Sequence, residues 1–238
     1  MSALQPEDRG IRALILDMDG LLVDTEHLAA RALERFLALH GRMMVAGTME
    51  QTLGRRLPEA IAIVAGEYGL TDPLPVLVEE YDVLRLEALR GNVRPMPGAR
   101  ELLVWGRSSG VPMALATSSR RAHAELSLGE AGLAGFFAAE VTGEEVGRGK
   151  PNPEIFLTAA ERLGVSPGYC LVIEDAPAGL AAANGGGMRC LWVPNDNTRG
   201  LDVDVPVDGV MQDLQRARAW IEARVEITPP PSNPRAAT

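Results

Sequence analysis

The sequence predicts an α/β domain in which a parallel sheet carries helices on both faces, with an all-helical segment inserted after the first strand. Three observations lead there. Short apolar runs at 13–16, 111–116, 170–173 and 188–193 read as strands buried on both sides. From residue 99 onward these runs alternate with stretches of helical spacing, the order that βαβ units require. Between 25 and 90 the apolar residues recur at helical spacing only, and no strand signal interrupts them.

The elements follow in order. Residues 1–10 are polar and expected to be loose. The first strand, 13–16, runs into Asp17-Met18-Asp19-Gly20. Leu28, Leu33, Phe36 and Leu37 mark one helix, and further helices are expected near 49–53, 58–68 and 75–89. Met43 and Met44 are expected in their core. Pro95-Met96-Pro97-Gly98 punctuates the return to the main domain. A helix over 99–105 and a strand over 111–116 come next, the strand ending in Thr117-Ser118-Ser119. A helix is expected over 121–128, and 136–142 is a short apolar stretch of unassigned type. The loop Gly147-Arg148-Gly149-Lys150-Pro151-Asn152-Pro153 precedes a helix over 154–163. The strand at 170–173 ends in Glu174-Asp175. A helix over 178–183 stops at Gly185-Gly186-Gly187. A strand at 188–193, a short one at 207–210 and a helix near 212–223 complete the domain. The Pro-rich end, 229–238, is expected to be disordered. The expected organisation is therefore a core of 1–24 and 95–228, a helical insert of 25–94, and a tail.

Composition narrows the function. Hydrophobic residues make up 46% and charged residues 23% of 238, the balance of an ordinary globular chain. A net charge of -9 argues against nucleic acid or an anionic membrane as the main partner. Cys170 and Cys190 sit in apolar runs and form neither a disulfide framework nor a zinc spacing. No signal peptide and no bilayer-length apolar run is seen, so a cytoplasmic protein is expected, and a monomer.

In open parallel sheets ligands bind beyond the carboxyl ends of the strands. Here Leu16 leads into Asp17, Ala116 into Thr117, and Ile173 into Glu174-Asp175, so carboxylates and hydroxyls gather at one rim. Asp17 and Asp19 are two positions apart at a strand end, which aims both the same way. An oxygen-only acidic cluster suits magnesium. Lys150 is the only lysine among 23 Lys+Arg residues, which marks it against a strong bias toward arginine. Carboxylates with magnesium, hydroxyl donors and an ammonium suit a phosphoryl group. Asp17 could attack phosphorus and Asp19 could serve as general acid and base. Each signal has a plainer alternative: Thr117-Ser118-Ser119 as a helix cap, Glu174-Asp175 as a helix start, Lys150 as a solvated charge. His27, His40 and His123 are expected on the surface or in packing.

Four segments, Asp17-Met18-Asp19-Gly20, Ala116-Thr117-Ser118-Ser119, Gly149-Lys150-Pro151-Asn152-Pro153 and Val172-Ile173-Glu174-Asp175, stand in one order. With them the chain resembles the haloacid dehalogenase superfamily of hydrolases, in the subgroup with a helical cap, similar to beta-phosphoglucomutases and sugar phosphatases. That resemblance implies a Rossmann-like core and a cap over 25–94. It implies Asp17 as nucleophile and Asp19 as acid/base. Magnesium would be held by Asp17, Asp19 (through its backbone carbonyl) and Asp175, with Glu174 close by. Thr117, Ser118 and Lys150 would hold the phosphoryl group. Gly54-Arg55-Arg56 resembles a Gly-x-Arg used against substrate, which nominates Arg56; a solvated helix face is the alternative. The implied activity is magnesium-dependent hydrolysis of a small phosphorylated metabolite, a sugar phosphate being the expected kind. A sugar phosphomutase is the alternative, and a non-catalytic phospho-acceptor module the alternative of another class. Such mutases carry a histidine shortly after the first motif; the matching position here is Ala29.

Overall fold

A computed structural model describes residues 10–226. The tail at 229–238, and all but Gly10 of the loose start expected at 1–10, lie outside the described residues. Six parallel strands form one sheet: β1 (Ala13–Leu16), β2 (Met113–Thr117), β3 (Ala139–Thr142), β4 (Cys170–Glu174), β5 (Arg189–Trp192) and β6 (Gly209–Val210). Their order across the sheet is β3-β2-β1-β4-β5-β6. Ile15 of β1 stands between Ala114 of β2 and Val172 of β4. The order of connection reverses at β1, which opens a crevice at its carboxyl end. The unassigned stretch at 136–142 proves to hold an edge strand, β3.

Alternation along β1 divides the core in two. Leu14 and Leu16 join Leu115, Leu171 and Ile173 on one face, together with α5 (Ala99–Ser108), α6 (Arg121–Glu130) and α9 (Leu214–Glu222). Ala13 and Ile15 join Ala114, Ala116 and Val172 on the other, against α7 (Glu154–Leu163) and α8 (Pro177–Gly185). Both faces are covered, so the strands carry no polar face. A 3-10 turn, Pro167–Tyr169, feeds β4.

Between β1 and α5 lie four helices: α1 (Glu26–Leu39), α2 (Thr48–Thr52), α3 (Leu57–Tyr68) and α4 (Leu74–Leu89). They have an apolar cluster of their own, with Leu33, Phe36 and Leu37 of α1 packed on Ile61 and Val64 of α3 and on Leu77 and Tyr81 of α4. The two connections to the sheet run side by side. The Asp24 amide donates to the Arg94 carbonyl (2.9 Å) and the Met96 amide to the Leu22 carbonyl (2.9 Å). Met44 is half-buried against the helical cluster, but Met43 is 86% exposed, contrary to its expected place in the core. It lies in the loop between α1 and α2, where no helical face turns it inward. No described helix is long and apolar enough to cross a membrane.

Phe36 is fully buried, with its ring 4.9 Å from that of His40 and 5.8 Å edge-on from that of Tyr81. Phe36→Ala is expected to lower stability by about 3–5 kcal/mol through lost burial and the cavity left behind. Urea unfolding of both proteins measures this; a loss below about 1 kcal/mol would mean the four helices do not rest on that contact.

Candidate active site

The carboxyl ends of three adjacent strands deliver the chemistry. Asp17 follows β1 directly, Thr117 closes β2, and Glu174 closes β4 with Asp175 behind it. Lys150 enters from the loop between β3 and α7. It is 2% exposed, and its Nζ donates to Asp17 Oδ1 (2.6 Å), Glu174 Oε1 (2.5 Å) and the Ala116 carbonyl (3.3 Å). The solvated-charge alternative for this lysine is excluded. Burial alone would lower the lysine, but Asp17 and Glu174 outweigh it and hold it protonated. The other oxygen of Glu174 accepts the amides of Asp175 (3.1 Å) and Ala176 (3.0 Å) at the start of α8. That placement also suits the positive end of the helix dipole. Gly179 leaves room for it: a Cβ there would stand 1.8 Å from Glu174 Oε1.

Asp19 belongs to a second, separately balanced group. Its Oδ1 accepts Thr25 Oγ1 (2.6 Å) and Arg85 Nη2 (3.1 Å); its Oδ2 accepts Ser119 Oγ (2.7 Å) and, more weakly, Thr117 Oγ1 (3.4 Å). Burial alone would raise the Asp19 carboxyl. Arg85 and the Ser119 and Thr25 hydroxyls outweigh it and hold the carboxyl below its usual value. Beside it, His123 is 2% exposed, and burial together with Arg85 lowers it to about 4, leaving it neutral at pH 7. Its Nε2 is 3.1 Å from Asp82 Oδ1 of α4, without the alignment of a hydrogen bond. Arg120 Nη1 reaches Asp82 Oδ2 at 3.1 Å. One face of α4 thus presents Asp82 and Arg85, an acid and a base, to Arg120 and Asp19 on the sheet domain.

A cavity of about 100 Å³ lies between the sheet and the helical insert. Asp17, Asp19, Ser118, Ser119, Glu174 and Asp175 line one side, and Ala29, Leu33, Leu53, Ile61 and Val64 the other, with Arg85 and His123 between. Ser118 Oγ donates to the Gly54 carbonyl of the insert (2.7 Å). The hydroxyl run does not cap the next helix: the residue before α6 is Arg120, with no side-chain cap. Arg56 is placed otherwise than expected. Its guanidinium is paired with Glu59 (2.5 Å) and donates to the Val146 carbonyl (2.7 Å), while Arg55 lines the cavity. Glu59, one helical turn on, supplies the nearer charge and turns Arg56 away. Sequence reasoning does not single out Arg85, Ser119 or Asn195, and it expects His123 on the surface or in packing; His123 is indeed packed inside, but it also lines the cavity. Ser119 lies inside the Ala116-Thr117-Ser118-Ser119 motif; Arg85 and Asn195 carry no local signal.

Asp17, Glu174 and Asp175 bring carboxylate oxygens within 4.8 Å of one another. Burial pushes Asp17 up to about 8, with Glu174 adding and Lys150 opposing; burial, Glu174 and Asp17 raise Asp175 as well. When all three are ionised, three carboxylates against one ammonium leave two negative charges over. A hard divalent cation with oxygen ligands fits that donor set and that charge. Glu174 is the least available of the three, because Lys150 and two amides already occupy its oxygens. The Asp19 carboxylate stands apart from this cluster. The Asp19–Gly20 segment adjoins it: Gly20 has φ +78°, and a Cβ there would stand 2.7 Å from Asp175 Oδ2.

A family model for haloacid dehalogenase-like hydrolases matches residues 11–187. Among curated proteins, the chain is 38% identical over 196 residues to a probable pseudouridine-5'-phosphatase of Drosophila melanogaster, covering 79% of this chain and 83% of that protein. It is 36% identical over 184 residues to a fructose-1-phosphate phosphatase of Escherichia coli, covering 76% and 95%. Among solved structures, a beta-phosphoglucomutase of Clostridium difficile superposes with a TM-score of 0.78 at 24% identity, covering 90% of this chain and 96% of that one; the likeness is one of fold.

The charge balance predicts how stability varies with pH. A carboxyl raised in the folded state retains a proton that the unfolded chain releases, so metal-free stability falls as pH rises toward 8. His123, lowered to about 4, works the other way, but only up to its ordinary value of 6.5. Above that value the carboxylates act alone. With chelator present the melting temperature should fall between pH 6.5 and 8. Saturating Mg2+ should raise it, and more at the higher pH. Calorimetric scans insensitive to Mg2+ at both pH values would contradict a cation site here.

Proposed function

The chain belongs to the haloacid dehalogenase-like hydrolase family, and from that premise we propose a magnesium-dependent phosphatase of small phosphorylated metabolites that works through an aspartyl-phosphate at Asp17. The observation that carries this is the separation of two carboxylates at one strand end: Asp17 against Lys150 with negative charge in excess, Asp19 balanced by Arg85 and two hydroxyls. Asp17, Asp175 and the Asp19 backbone carbonyl would hold the cation, with Glu174 close by. When bound, Mg2+ supplies the positive charge that lets a phosphate dianion approach these carboxylates.

In the first half an Asp17 oxygen attacks phosphorus, the phosphorus–oxygen bond to the alcohol breaks, and the alcohol oxygen takes its proton from Asp19. In the second half Asp19 takes a proton from water as the water attacks phosphorus. The bond to Asp17 breaks, and inorganic phosphate leaves. The Arg85 contact favours the ionised Asp19 that the second half needs; the protonated form that starts the first half gains weight when that contact loosens. Lys150 neutralises the phosphoryl group from behind Asp17, with Glu174 fixing its position. Residues 25–94 serve as the cap. Arg55 is the donor facing the cavity from the cap side, and Ser118 becomes a donor to the substrate when its hydroxyl leaves the Gly54 carbonyl, while Ser119 stays on Asp19.

Ala29 favours hydrolysis over sugar phosphate isomerisation. It lines the cavity where a mutase of this type needs a side chain that exchanges protons with a sugar hydroxyl, and a methyl group cannot.

Phosphate release from a panel of sugar phosphates, nucleoside monophosphates and an aryl phosphate should require Mg2+ and vanish in chelator. Full turnover in excess chelator, or conversion of beta-glucose 1-phosphate to glucose 6-phosphate faster than phosphate release, would overturn the proposal. Lys150→Arg should keep the fold and lose on the order of a hundredfold in turnover, because a planar guanidinium cannot sit as a point charge between Asp17 and Glu174. Circular dichroism and the rate of phosphate release check it; near-normal turnover would show that any cation suffices there.

A further inference from the structure

We propose that Asn195 is a positioning residue for the cation site, holding Asp175 in its ligating orientation and tying it to the Asp17–Gly20 turn. The inference rests on the reading that Asp175 is a cation ligand. Asn195 lies just beyond β5, the neighbour of β4, so the loop it opens folds back over the carboxyl end of the strand that delivers Asp175. Its Nδ2 donates to Asp175 Oδ2 (2.8 Å) and to the Gly20 carbonyl (3.1 Å). Two segments that must stay in register, one after β1 and one after β4, are thus bridged by a single amide group.

The orientation of that amide follows from its other end. Asn195 Oδ1 accepts the backbone amides of Asn197 (2.8 Å) and Thr198 (3.2 Å). Donors on that side require the oxygen there, so the NH2 group must face Asp175. Both of its protons then have acceptors. The loop is held in turn by Thr198, which is fully buried and accepts the Asn195 amide on Oγ1 (3.0 Å). The indole of Trp192, the last residue of β5, donates to the Asp175 carbonyl (2.8 Å), so the backbone of Asp175 is anchored from the strand and its side chain from the loop that follows it. Packing leaves no slack: a Cβ on Gly20 would stand 2.5 Å from Asn195 Nδ2.

With one carboxylate oxygen engaged by a neutral donor, Asp175 cannot turn freely, and the donor adds no charge to compete with a cation. Neither aspartate nor leucine could do this. Aspartate would set an oxygen against Asp175 and the Gly20 carbonyl, and leucine would leave the amides of 197 and 198 unmet. Partners that orient a metal's ligands from outside are typically worth about 10–100-fold in metal affinity.

The test is Mg2+ binding by calorimetry on the full chain, with phosphate release as a second readout. Asn195→Ala should weaken Mg2+ binding at least tenfold, while turnover at saturating Mg2+ recovers most of the wild-type rate. Asn197→Ala, whose side chain meets Glu26 rather than Asp175, should bind Mg2+ within about threefold of wild type. If Asn195→Ala does not fold, Asn195→Ser takes its place, keeping a short acceptor for the loop amides without the reach to Asp175. Equal weakening in the 195 and 197 variants would reduce Asn195 to general loop support and overturn the proposal. So would unchanged binding in a folded 195 variant. A wild-type chain that binds no Mg2+ would remove the cation reading itself, and this inference with it.

Discussion

Everything at this site depends on one buried ammonium. Lys150 is enclosed among β1, β2, β4 and its own loop, and a charge so placed is tolerable only with its partners in position. Asp17 and Glu174 provide them, and Glu174 in turn is set by two amides at the start of α8 and by the space that Gly179 leaves. Removing any of these members would strand a buried charge, which typically costs several kcal/mol. The lone lysine of an arginine-rich chain is thus the point at which three strands and a helix agree on one geometry.

The same rim carries a second arrangement that differs in sign and source. The charge on Asp19 is answered by Arg85, which comes from the helical insert. Asp82, one turn earlier on α4, meets Arg120 of the sheet domain. The insert is therefore an electrostatic part of the site as well as a wall. Its apolar side chains face a cavity whose opposite side is almost wholly carboxylate and hydroxyl. Two carboxylates two residues apart acquire opposite tendencies, Asp17 raised and Asp19 lowered: burial acts on both, but Asp17 shares the Lys150 ammonium with Glu174, whose charge raises it further, while Asp19 receives Arg85 and the Ser119 and Thr25 hydroxyls.

Much of this was legible in the sequence because it is local. Apolar runs ending in Asp17, Thr117 and Glu174-Asp175 locate the rim, and usage alone singles out Lys150. What escaped is what depends on distance along the chain. Arg85 sits in the middle of a helix with no feature to set it apart; only the packing of α4 brings it to Asp19, 66 residues earlier. Asn195 sits in a polar loop where asparagine is ordinary. Arg56 is nominated by pattern, yet Glu59, in the first turn of the helix that Arg56 precedes, pairs with it and turns it away from the cavity. Met43 looked like core by type, but its loop has no periodicity to direct it inward. Periodicity identifies a face, not the element that face will meet.

In the proposed reaction Asp17, and not Asp19, bears the covalent phosphoryl group. Rapid acid quenching during turnover, followed by reductive trapping and peptide mass analysis, reads this directly. A Mg2+-dependent acyl-phosphate is expected on the peptide containing Asp17, with the modification at that residue and none at Asp19. A trapped group on Asp19, or turnover at full rate with no acyl-phosphate formed, would contradict it.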